Sequence, residues 1–331
     1  MGVTCLILLQ KSKEGVFRAG QPVVGTLKYK VNKPTKFTSV DISLNGKGKC
    51  QWSETDSDDN TTYFSNKEEY VNISKNLLTG HNVLSGTYER PFEFFLPENI
   101  PTSVKNKTCT IEYKVLVTFL KDNFFGTKYK FDAEVLVYGY VSPCSPEPLI
   151  FGLQKNLFSL TSNNNIEVKA EIEKTCVTPG ENIHLKLAIN NDTDVPITIK
   201  TDLMKYFTYV SDRKSKKIDK ESVKTTTGYS PSVKERSMST MKCIVPTLPS
   251  LYSIQHTQIL IGEYKVRVTA KLPFPHINAT VEVPVVIGES KDHVGAAVVG
   301  YESPSSSKVP EKENVEEDAQ TAEDFFAKYE I

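Results

Sequence analysis

Nowhere in its 331 residues does this chain hold the roughly 18 consecutive apolar residues that a membrane-spanning helix needs. An excess of one charge is missing too. Lys plus Arg and Asp plus Glu each number 40, so no net field draws the whole molecule to nucleic acid or to an anionic surface. The five histidines, His81, His184, His256, His276 and His293, are scattered, with no Gly-x-Ser-x-Gly turn and no Cys/His pair at a catalytic spacing. Catalysis needs converging groups, so a non-enzymatic protein is expected. No Gly-rich loop enters a helix to cradle phosphate, and the acidic run Glu54, Asp56, Asp58 and Asp59 lacks the glycine and closing glutamate of a calcium loop. No cofactor and no metal are expected.

Cysteine occurs six times, at Cys5, Cys50, Cys109, Cys144, Cys176 and Cys243, without a Cys-x-x-Cys pair, and free buried thiols are the expectation. Five Asn-x-Ser/Thr sequons begin at Asn60, Asn72, Asn106, Asn191 and Asn278 and would suit an exported protein. Against export, Met1 to Gln10 has no basic leader, and its apolar run, Cys5 to Leu9, is followed by no small-residue cleavage site. A cytoplasmic chain is therefore expected. The alternative, which sequons and cysteines favour, is an extracellular β-sandwich module for adhesion or ligand binding.

What the sequence does hold is alternation. Val40, Ile42, Leu44; Ile111, Tyr113, Val115, Val117, Phe119; Ile183, Leu185, Leu187, Ile189; and Tyr264, Val266, Val268, Ala270 each mark one buried face of a strand. Pro, Gly, Asn and Asp turns separate these runs and no long helical pattern intervenes, which predicts antiparallel sandwiches. The two halves also repeat one another. Glu112–Thr118 returns as Glu263–Thr269 with six of seven positions identical. Upstream, Gly20 before Val23 matches Gly180 before Ile183; downstream, the strand ending at Gly139 matches the one ending at Gly288. Three landmarks in one order predict two copies of one domain, at 1–140 and 166–288. The proline-rich stretch 141–165 is read as the linker between them, and 289–331 as a disordered acidic tail.

Particular motifs resemble the α-arrestins, the arrestin domain-containing proteins. Phe17–Leu27 is similar to that family's Gly-x-x-Val-x-Gly strand entry. Leu44–Trp52 resembles its apolar-x-Gly-x-Gly segment leading to Trp, and Pro91–Pro97 with Ile100–Ser103 its Phe-x-Phe-x-Leu-Pro element. Val177–Glu181 and Pro284–Gly288 match in the second half. The resemblance implies two tandem immunoglobulin-like β-sandwich domains, the arrestin fold. It also implies an adaptor that links membrane receptors or transporters to ubiquitination, endocytosis or protein transport, working at the plasma membrane or endosomes through its partners. One departure concerns ubiquitin ligases: the Pro-Pro-x-Tyr element that binds their WW domains is missing from the tail.

Two segments are expected to bind partners. Arg213, Lys214, Lys216 and Lys217 concentrate positive charge between two strands, where a phosphorylated cargo tail or anionic lipid would meet them; the plainer reading is a solvated loop, diluted by Asp212, Asp219 and Glu221. In the tail, Phe325 and Phe326 stand among acidic residues, loosely resembling peptides read by endocytic coat adaptors, beside the plainer reading of a solubilising terminus. Trp52 is expected in the core, and Lys11 and Lys13 are given no role in sensing phosphate.

Overall fold

The structure, a computed structural model, describes residues 2–12, 15–78, 83–144, 147–157, 164–224, 231–274 and 276–290, and these form strands and turns only. The first half supplies β1 (Val3–Leu9), β2 (Phe17–Arg18), β3 (Pro22–Thr55), β4 (Thr61–Asn76), β5 (Val83–Phe95), β6 (Val104–Lys105), β7 (Cys109–Lys121), β8 (Lys128–Val135) and β9 (Val137–Tyr138). The second supplies β10 (Leu149–Leu157), β11 (Asn164–Ile172), β12 (Cys176–Val177), β13 (Ile183–Asp192), β14 (Ile197–Val210), β15 (Lys216–Val223), β16 (Ser232–Val233), β17 (Ser237–Val245), β18 (Leu260–Lys271) and β19 (Ala279–Ile287).

Alternation in the sequence becomes burial in the fold. Along β7, Ile111, Tyr113, Val115, Val117 and Phe119 are buried while the residues between them lie at the surface or half-buried, because successive side chains of a strand point to opposite faces. In the first sandwich β3, 34 residues long, serves both layers: Pro22–Lys36 pairs with β1 and β5, and the stretch from Phe37 onward pairs with β4 and β7. Irregular steps between Val31 and Thr35 and between Phe37 and Ser39 let the strand change layers. β6 and β8 lie on β7. The second sandwich sets β10-β11-β13-β17 against β12-β19-β18-β14-β15, with β16 paired to β14. Each half has its own apolar cluster, around Leu27, Ile42, Leu44 and Phe119 in one and Ile166, Leu187, Ile199 and Val266 in the other. Burying each such side chain contributes roughly 1.5–3 kcal/mol.

The duplication extends to single hydrogen bonds. Ser103 N donates to Val137 O while its Oγ accepts from Val137 N; Ser253 repeats both contacts with Ile287. β2 runs parallel to β9, as β12 does to β19. Tyr113 and Tyr264, at matching places in the two repeats, are both buried, and Tyr113 donates its hydroxyl to Pro101 O. Gly20 and Gly180 both take a positive φ, 75° and 88°, at equivalent turns that side chains other than glycine rarely adopt.

Two expectations need correction. The stretch 141–165, read as a linker, contains β10, which pairs with β11 from Leu149↔Ile172 to Leu157↔Asn164 and forms an edge of the second sandwich. Its prolines fall before that strand, so they end one domain without preventing the next from starting. Cys50 and Cys109, read as free thiols, lie opposite one another on β3 and β7 and form a disulfide. Of the tail 289–331, Glu289 and Ser290 are described: Glu289 pairs with Arg18 at 2.8 Å and Ser290 is buried.

The two sandwiches share a dry seam. Tyr209, Ile254, Ile259 and Leu260 of the second belong to the apolar cluster of the first. At Gly48 this packing leaves no room for a side chain, since a Cβ there would lie 2.4 Å from Tyr70 Oη and 2.5 Å from Ile259 Cδ1. Polar groups on the inner face of β4 close the seam. Glu68 Oε2 accepts from Thr257 Oγ1 at 2.7 Å and Gln258 N at 2.9 Å, Tyr70 Oη meets Thr257 Oγ1 at 2.8 Å, and Asn66 donates to Val210 O at 3.0 Å. Tyr138 and Tyr252 meet beside it, their rings tilted by 38° with centroids 4.1 Å apart.

Candidate functional site

The basic segment foreseen in the second sandwich is a tight turn between β14 and β15. Ser211 and Ser215 close it through Ser211 N→Ser215 O and Ser215 N→Ser211 Oγ, with Lys214 at φ 65°. Its position is set by the first sandwich, because Asp212 N donates 2.9 Å to Ser65 O on β4. Arg213, Lys214 and Lys216 are exposed, and no carboxylate pairs with them among the described residues. Lys217 lies on β15 within 3.6 Å of Asp219 and over the Tyr209 ring. The structure therefore keeps three of the four foreseen cations available and ties the fourth down. Phe325 and Phe326 lie outside the described residues.

Two residues along β4 from Ser65, the same outer face carries a basic groove that sequence reasoning missed. Strand register places Lys67 of β4 opposite Lys49 of β3, Lys49 opposite Thr110 of β7, and Thr110 opposite Lys105 of β6, one row across four strands. Lys107 stands at the rim of this open groove of about 770 Å³, with Gln51, Asn106 and Thr108 at its polar wall. Like charges directly opposed on neighbouring strands destabilise a sheet by a few tenths to about 1 kcal/mol. Lys49, Lys67, Lys105 and Lys107 have no carboxylate partner among the described residues. Three acids also line the groove, Glu68, Glu69 and Glu112, and Glu69 accepts from Asn72 at 3.3 Å. Glu112 holds Lys114 at 3.0 Å and Lys47 at 3.6 Å, and the Lys114 hydrogen bond, helped by Lys47 and opposed by burial, keeps its carboxyl below the usual value. Glu68 turns inward to the seam. The groove lining thus sets Lys47, Lys49, Lys67 and Lys107 beside Glu68, Glu69 and Glu112. The signal available in the sequence was Lys47, Lys49 and Gln51 alternating along one strand; register brings Lys67 and Lys105 into their row, and the loop after β6 adds Lys107.

Nothing in the described residues converges for chemistry. Burial pushes the Cys5 thiol up to about 12, and burial with Cys144 close by does the same to Cys176, so both stay protonated and poorly nucleophilic. Burial also raises the Cys243 thiol. Among the described residues no three His, Cys, Asp or Glu side chains gather as a metal would require. Asp56 of the acidic loop spends its oxygens on Asp58 and Asn60 within its own turn. Trp52 stacks on Phe64 at 5.2 Å and donates to Glu54, a packing residue at the end of its sheet.

Comparison with known proteins agrees with this architecture. Residues 5–141 match the family model described as arrestin (or S-antigen), N-terminal domain, and residues 162–291 match arrestin (or S-antigen), C-terminal domain. The chain is similar to arrestin domain-containing protein 5 of Bos taurus, 25% identical over 313 residues that cover 87% of this chain and 92% of that protein. The Homo sapiens protein of the same name is 21% identical, covering 87% of this chain and 88% of its own length. Arrestin domain-containing protein 1 of Homo sapiens is 22% identical over 82% of this chain and 61% of its own length.

Proposed function

Because this chain belongs to the α-arrestin family of arrestin domain-containing proteins, we propose that it is a non-enzymatic adaptor whose basic groove holds an acidic or phosphorylated cytoplasmic segment of a membrane protein. The observation that carries this reading is the row Lys67, Lys49, Thr110 and Lys105, three lysines on one line across the sheet, none of them in an ion pair among the described residues. Ammonium groups brought together on neighbouring strands can take up phosphate or carboxylate oxygens through charge-assisted hydrogen bonds, which offset the ordering of the lysine side chains. The Arg213–Lys214 turn, bonded to β4 near the end of the row, extends the same potential across the seam. In the cell the bound cargo would be a receptor or transporter, handed on to ubiquitination, endocytosis or recycling. Without a Pro-Pro-x-Tyr element, a ligase would join through a further protein.

Fluorescence anisotropy with an acidic peptide and its phosphorylated form tests the groove. Phosphorylation should tighten binding, salt should weaken it, and Lys49→Glu with Lys67→Glu should cost about tenfold or more in affinity. Unchanged affinity in that double variant would remove the groove from the mechanism. In cells, proximity labelling should recover membrane proteins and trafficking components.

The second reading, an extracellular module, is favoured by the Cys50–Cys109 disulfide, since such bonds persist in oxidising compartments. Sequon asparagines Asn60, Asn72 and Asn278 are exposed, whereas Asn191 is fully buried and donates to Val195 O and Lys234 O. A mobility shift on glycosidase treatment of the cellular protein would select this reading; no shift, with Cys50 and Cys109 recovered reduced, would select the adaptor inside the cell.

A further inference from the structure

Phe124 and Phe125 are the most exposed aromatic pair among the described residues, at 99% and 87% exposure, and they occupy the tip of the β7–β8 hairpin. Their loop is braced. Asn123 Oδ1 accepts from Thr127 N and its Nδ2 donates to Thr127 Oγ1, both at 3.0 Å; Gly126 N returns to Asn123 O; Lys121 N bonds Thr127 O. From the side, Asp122 N donates to Lys36 O and its carboxylate pairs with Lys36 at 2.7 Å. A hairpin so tied presents the rings outward, edge to face with centroids 5.5 Å apart, against no other aromatic side chain among the described residues. Around the tip stand Lys36, Lys121 and Lys128, the last two without a carboxylate partner among the described residues, and Asp122 is the acid of this loop. β7 begins at Cys109, beside the domain seam, and runs 13 residues to Lys121, so the tip is at the end of the first sandwich remote from the second.

We propose that this tip is a membrane-contact element, its two phenylalanines inserting into the interfacial layer of an anionic bilayer while Lys121 and Lys128 meet lipid headgroups. Aromatic rings on a rigid loop gain by entering the headgroup–acyl boundary, and a collar of cations adds attraction to anionic lipid. The charge of the collar argues for a bilayer over an apolar protein pocket. The site is separate from the basic groove, which lies at the other end of β7 around Thr110, so the two bind and fail independently.

Co-sedimentation of the full chain with phosphatidylcholine vesicles, with and without phosphatidylserine, tests the tip. The chain should bind the phosphatidylserine vesicles. Phe124→Ser with Phe125→Ser should lower the bound fraction about tenfold, and Lys121→Gln with Lys128→Gln should abolish the preference for phosphatidylserine. The phenylalanines and Lys128 are exposed and Lys121 is half-buried; unchanged thermal denaturation will show that the fold is intact. A Phe124→Trp variant should show quenching by brominated lipid; Trp52 is buried in the core and supplies a constant background. Undiminished vesicle binding by the serine variant, or absence of quenching, overturns the proposal. So does sedimentation in which the serine variant turns a dimer into a monomer, since the rings would then belong to contacts between copies of the chain.

Discussion

At Gly48 the room for a side chain has been taken by Tyr70 from its own domain and Ile259 from the other. Gly48→Val therefore forces the seam apart and should destabilise the protein by about 1–3 kcal/mol, read as a lowered midpoint in urea. An unchanged midpoint would mean the seam opens freely. Glu282 makes a different prediction. Burial would raise its pKa, but the Tyr206 hydroxyl at 2.5 Å, Arg267 at 2.8 Å and Lys220 outweigh that effect and hold it below the ordinary 4.5. A carboxylate depressed in the fold stabilises fully above its unfolded value and ceases to do so as pH falls through the folded one. The melting temperature should then drop more steeply below about pH 4.5 in the native protein than in Glu282→Gln. Parallel acid profiles would exclude this residue as a source. Individual residues were unevenly legible. Trp52 and the core faces followed from alternation, whereas Cys50 and Cys109, 59 residues apart, carry no spacing that announces their pairing.

Elements were legible where one face is buried and obscure where neither is. β7 and β18 stand out in the sequence because every second residue is apolar, and their shared Glu-Tyr-Lys-Val opening exposed the duplication before any coordinates. β4 buries Val71 and few of its other side chains, so its sixteen residues read as polar sequence. The groove depends on that strand. Its register against β3, with a bulge between Gly46 and Lys47, is a long-range property that local pattern does not encode. β10 was hidden by the prolines just before it. Amide hydrogen exchange should find the β10 amides that bond β11 protected to the same degree as those of β11 itself. Exchange at the rate of a free chain would return 149–157 to the role of linker.

Over the whole molecule, two cores with a shared seam behave differently from two domains on a hinge. Tyr209 joins Ile254, Ile259 and Leu260 in the second sandwich's contribution to the first core, and burial, with Asp219 nearby, pushes its hydroxyl up to about 12. Tyr209→Ala should remove roughly 3–5 kcal/mol and split a single calorimetric transition into two. One transition in the variant would show that the polar contacts of Glu68 and Tyr70 suffice to couple the halves. β3 adds a mechanical property to this picture. One continuous ribbon belongs to both layers of the first sandwich, so the layers have no plane along which to slide. Tension applied at Lys49 travels along the peptide backbone directly into the layer formed with β1 and β5. The first domain answers a pull as a stiff block, and whatever compliance the loaded molecule shows has to come from its turns.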